Sequence, residues 1–155
     1  MWEENFKTYL YQRVETASVD KEQLAAMIDL TEKDMQSLFE KLTGRKAATE
    51  ADKKIFDDIV RIALSGLQSI SGRNVDEVIA ESYDIGVRKN TDYGSGNILK
   101  FGVIGLIVRE TDKMERIKNL LKNEASFKKE TVEDTLMDMI NYAVYGKMLL
   151  DGVWF

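Results

Sequence analysis

Three aspartates, two arginines and a lysine, spaced along two neighbouring segments, are the residues of this chain best suited to chemistry. Arg109, Asp112 and Arg116 recur at i, i+3, i+7 on one predicted helix, with Lys113 beside them. Asp134, Asp138 and Asn141 recur at i, i+4, i+7 on the next. If the two helices pack antiparallel, Asp112, Asp134 and Asp138 converge with Arg109 and Arg116 around one cleft. Three hard oxygen ligands could hold Mg²⁺ or Mn²⁺ with several waters and a substrate phosphate. The guanidinium forks, with Lys113, could take further phosphate oxygens. The same spacing also allows a salt-bridge network that only fixes helix register. The chain has neither histidine nor cysteine, so the commonest general base, the thiolate nucleophile and Cys-ligated zinc are all excluded.

A second element is the one glycine-rich loop, Asn90-Thr-Asp92-Tyr93-Gly94-Ser-Gly96. Consecutive backbone N–H groups at a glycine loop entering a helix can receive a phosphate. Tyr93 could stack on a base, worth about 1–3 kcal/mol where single strands have been measured. An ordinary helix-to-helix turn uses the same residues.

The elements that must position these groups are helical almost throughout. The chain has 155 residues, enough for one core, with 44% hydrophobic and 32% charged residues. Its 22 Lys and Arg against 27 Asp and Glu give a net charge of −5, which argues against binding duplex nucleic acid on a basic face. Proline is absent, and apolar residues recur at i, i+3, i+4 and i+7. The spacing predicts helices over 2–16, from Asp20, from Thr31 to Gly44, and from Thr49 to about 71. Others follow over 74–90, 99–123 and, capped by Thr131, to about Leu150. A charged connection is expected over 122–130. The last helix is apolar nearly all round, the mark of an element buried on more than one side. The fold class is all-α, a helical bundle. The division expected is an N-terminal helical extension over 1–72 packed on a core over 73–155. The start, MWEENFKTYL, is too polar for a signal peptide, and no run reaches ~18 apolar residues. A cytoplasmic location is expected, with no membrane partner.

Lys89-Asn90-x-Asp92-Tyr93-Gly94, Phe101-Gly-x-x-Gly105-Leu-x-Val-Arg109-x-x-Asp112-Lys113-x-x-Arg116 and Glu133-Asp134-Thr-Leu-x-Asp138-x-x-Asn141-Tyr142 together resemble the nucleotide modification associated helical domain, frequent in phages and prophages. That family is distantly similar to the MazG-like, all-α nucleoside triphosphate pyrophosphatases. The resemblance implies a MazG-like core, a Mg²⁺ held between two antiparallel helices, and metal-activated water attacking between the α- and β-phosphates. It implies Asp112, Asp134 and Asp138 as ligands, with Arg109 standing where the pyrophosphatases carry an acid. Lys113 and Arg116 would hold phosphate, and Asn90, Asp92, Tyr93, Gly94 and Asn141 would bind the nucleotide. A homo-oligomer, in the host cytoplasm if phage-encoded, is implied as well. The alternative is a non-catalytic nucleotide-binding or interaction module in phage DNA modification or host-defence interference.

Overall fold

Side chains that satisfy the first free backbone amides set where several of the helices begin. Asp20 and Gln23 exchange hydrogen bonds as a reciprocal capping box, and Thr49 and Asp52 form a second. Asn74 accepts from the Glu77 amide at 3.1 Å. The computed structural model describes residues 1–123 and 128–155. They form α1 (Trp2–Leu10), α2 (Lys21–Thr43), α3 (Glu50–Ser69), α4 (Val75–Tyr93), α5 (Gly96–Leu99), α6 (Gly102–Lys122) and α7 (Lys129–Leu150). Among the described residues there is no strand, so the protein is all-α.

α4 runs on to Tyr93 and α6 starts at Gly102, after the separate short α5, and three other boundaries differ from the sequence expectation for a local reason. α1 stops at Leu10, and the following stretch is tied sideways to α3. There the Ala17 and Val19 amides donate to the Ser65 and Ser69 hydroxyls, each at 3.0 Å. Thr31 starts no helix. It is buried inside α2 and returns its hydroxyl to the Met27 carbonyl at 2.9 Å, the back-bonding that lets threonine sit within a helix. Thr131 likewise lies inside α7, which begins at Lys129 without a side-chain cap. The expected connection over 122–130 falls partly on residues 124–127, outside the described residues.

The axis of the bundle is α7, which buries twelve of its 22 residues and packs on α1, α3, α4 and α6. Buried residues on both sides of position 72 belong to one apolar cluster. The chain's end is held there by aromatic rings. Trp154 lies 5.3 Å from Trp2 and 5.1 Å from Tyr145, and Phe6 lies 5.4 Å from Tyr145. Such pairs add about 0.5–1.5 kcal/mol each beyond simple burial. The Asn5 side chain donates to the Val153 carbonyl at 3.1 Å, fixing the tail against α1. No helix among the described residues is long and apolar enough to cross a membrane.

Candidate functional site

The register of α6 against α7 decides which polar side chains meet. Lys113 Nζ lies 2.9 Å from Asp138 Oδ2, and four residues earlier on α6 the Arg109 guanidinium sits 6.0 Å from the centre of the Tyr142 ring. Residue 113 thus faces 138 and residue 109 faces 142, so the two helices run antiparallel, as expected. α4 closes the third side. Lys89 Nζ lies 3.2 Å from Asp138 Oδ1, and the Asn141 side-chain amide donates to the Ser82 carbonyl at 3.1 Å. Asp138 is therefore held by two ammonium groups, one on each carboxylate oxygen, and its side chain is only 22% exposed.

Behind this pair lies a residue that the sequence reading passed over. Val103, Ile107, Met114, Ile117 and Leu121 form the apolar stripe of α6, and position 110 is the gap in that stripe. Glu110 fills it, fully buried, with neither carboxyl oxygen hydrogen-bonded. Burial pushes its carboxyl well above the usual range; the nearby Asp138 charge adds to this, and Lys113 opposes it. An acid at the one slot where a helical stripe demands an apolar side chain was the available signal.

The three-aspartate site is not assembled. At about 100° per residue, Asp112 stands on the far side of α6 from Glu110, and it is exposed, as is Arg116. α6 turns its 110, 113 and 117 edge toward the interior, not the edge carrying 112 and 116. Asp134 is exposed too, beside Asp138 in a depression of about 310 Å³ shared with Arg88 and Lys89. Among the described residues no group of three acidic side chains is placed to hold a metal ion. The donor set does not fit Mg²⁺ or Mn²⁺ well: both Asp138 oxygens are taken by lysines, and both Glu110 oxygens are sealed in the core.

What the fold does bring together is a cationic cleft of about 200 Å³ between the end of α4, α5, α6 and α7. Lys89, Asn90, Tyr93, Arg109, Tyr142 and Trp154 are among its walls. Asn90, Tyr93 and Arg109 were singled out by sequence, and Lys113 and Asp138 adjoin them through Lys89. Gly94 ends α4 at φ +68°, a turn that a side chain would resist. Asp92 is exposed beside it. The glycine loop is mostly a helix-to-helix turn. The Gly94, Ile98, Leu99 and Lys100 amides are all spent on nearby carbonyls, and the Ser95 hydroxyl donates to the Asn90 side chain. Asn141 is buried, its side-chain N–H donating to the Ser82 carbonyl and its Oδ1 without a hydrogen-bond partner. Lys89 and Arg109 are the charged walls of the cleft, and Asp138, with Asp134 beside it, pairs Lys89 with Lys113. The site is net positive on a chain whose overall charge is −5.

A family model described as Nucleotide modification associated domain 1 matches residues 89–150. The match begins at Lys89 and ends with the last residue of α7, so it contains all the charged groups of this site. No curated protein and no solved structure matches the chain.

Proposed function

We propose that the chain binds a nucleotide through its phosphates, using the ammonium and guanidinium groups of the cleft in place of a metal ion. The observation that carries this reading is the seating of Lys89 and Lys113 on opposite oxygens of one half-buried aspartate. Asp138 ties Lys113 to Lys89, a wall of the cleft, before any ligand arrives. An incoming phosphate offers the same two lysines an alternative set of anionic oxygens, and Arg109 adds a planar fork suited to a further phosphate. The description of the matching family agrees with a nucleotide as the ligand.

The test is equilibrium titration with tripolyphosphate and with nucleoside triphosphates in buffer containing EDTA. Binding that weakens at least tenfold in Lys113→Met, and that falls as salt is raised, supports the cleft. Absence of binding under those conditions overturns it.

A second reading, Mg²⁺-dependent pyrophosphohydrolysis, would require Asp138 to give up its two lysines and Glu110 to leave the core. Its sign would be pyrophosphate release that requires Mg²⁺ and disappears in Asp138→Asn.

A further inference from the structure

We infer that the base of the bound nucleotide lies in the apolar groove between α5 and the first turns of α6, rather than on Tyr93. The inference rests on the phosphate-cleft reading and extends it to the other end of the ligand. The groove has a volume of about 370 Å³, and its walls include Ile98, Phe101, Ile104, Gly105 and Val108. It adjoins the cationic cleft, with Asn97, Ile98 and Arg109 lining both. Arg109 fixes the divide: its guanidinium donates to the Asn97 carbonyl at 3.3 Å on one side and lies over the Tyr142 ring on the other. A single ligand crossing that divide would have an anionic end and a flat, largely apolar end, which is the make-up of a nucleotide.

The groove is kept open at a cost. Phe101 is 68% exposed and Val108 49% exposed, apolar surface that a folded chain otherwise tends to cover. Gly105 makes room for the ring. A Cβ at that position would stand 2.8 Å from the Phe101 Cβ, so a side chain there would displace Phe101 and fill the groove floor. Phe101 offers a ring face for stacking, and Asn97 and Arg109 offer polar groups to a base edge. Tyr93, 70% exposed, stands at the cationic cleft and not in the apolar groove.

The experiment compares tripolyphosphate with ATP, GTP, CTP and dTTP on the full chain, each variant first shown to melt cooperatively. Phe101→Ser and Gly105→Leu should weaken nucleotide binding about tenfold or more, the size expected for losing a base–aromatic stack, while leaving tripolyphosphate affinity unchanged. Tyr93→Ser, at a wall of the cationic cleft, should weaken nucleotide binding no more than it weakens tripolyphosphate binding. The groove assignment falls if Tyr93→Ser costs nucleotide affinity and Phe101→Ser does not, or if nucleotides bind no more tightly than tripolyphosphate. It falls equally if sedimentation shows a wild-type dimer that Phe101→Ser splits, since the groove would then belong to a second copy of the chain. Failure of tripolyphosphate alone to bind, with nucleotides still sensitive to Phe101→Ser, would remove the cationic cleft and keep the groove.

Discussion

Replacing Glu110 with methionine is expected to make the protein more stable. The side chain is fully buried at an apolar slot of α6, with no hydrogen-bond partner for either oxygen. Exchanging buried ionic groups for well-packed apolar ones of similar volume often gains about 1–4 kcal/mol. Unfolding entropy near 2.1 cal/mol/K per residue, over 155 residues, makes each kcal/mol worth roughly 3 °C. The melting temperature at pH 7 should therefore rise by roughly 3–12 °C. The gain should depend on pH in a set direction. Because burial raises the folded pKa of Glu110 above its unfolded value, the protonated group is tolerated below the ordinary carboxyl range. Its penalty grows as pH climbs through that range toward the folded pKa. The advantage of methionine should thus be largest at neutral pH and shrink on acidification. Differential scanning calorimetry between pH 4 and 8 reads both effects. A lower melting temperature in Glu110→Met, or a gain of constant size across that range, would refute the argument, because Glu110 would then have a partner or an ordinary pKa.

Three further outcomes follow from the same geometry. Asp138→Asn removes the anion that competes for Lys89 and Lys113, so tripolyphosphate affinity measured by calorimetry in EDTA should rise several-fold, where a metal-ligand role predicts no binding by either protein. Asp52→Ala removes both the α3 capping box and the 2.6 Å pair with Lys41, at a cost of about 1–2 kcal/mol near neutral pH. The Lys41 bond, with help from Thr49, depresses the Asp52 pKa, so this contribution is present above the unfolded carboxyl pKa and lost as pH falls through the folded one. Melting curves of Asp52→Ala and wild type should converge in acid. Trp154→Ala opens the aromatic cluster at the chain's end and should cost about 3 kcal/mol, seen as a lower urea midpoint.

The sequence carried the fold class well because helix signals are local. Both reciprocal capping boxes were readable as Asp20 with Gln23 and Thr49 with Asp52, and the apolar circumference of α7 marked it as the buried axis. Inner threonines were less legible. Thr31 and Thr131 look like caps by type, yet a hydroxyl can equally return to the carbonyl one turn back, and packing across the bundle chose between the two at Thr31. At the site, the pairing of α6 with α7 was foreseeable but its rotation was not. Reading the face of α6 from Arg109, Asp112 and Arg116 set the helix off by about one residue, enough to carry Asp112 to solvent. The apolar stripe fixed the true rotation and named Glu110 by its irregularity. Asp138 was found as an acid, but its pairing with Lys113 depends on the rotation of α6, and its pairing with Lys89 on α4 crossing at residue 89, a long-range contact that spacing along one helix does not encode.

The central claim is that lysines, not a metal, receive the ligand's phosphates. Isothermal titration of tripolyphosphate into the wild-type chain and Lys113→Met, both in EDTA, tests it most directly. The account predicts metal-independent binding in the wild type and at least tenfold weaker binding in the variant. Binding that appears only when Mg²⁺ is restored, or that is indifferent to Lys113→Met, would contradict it.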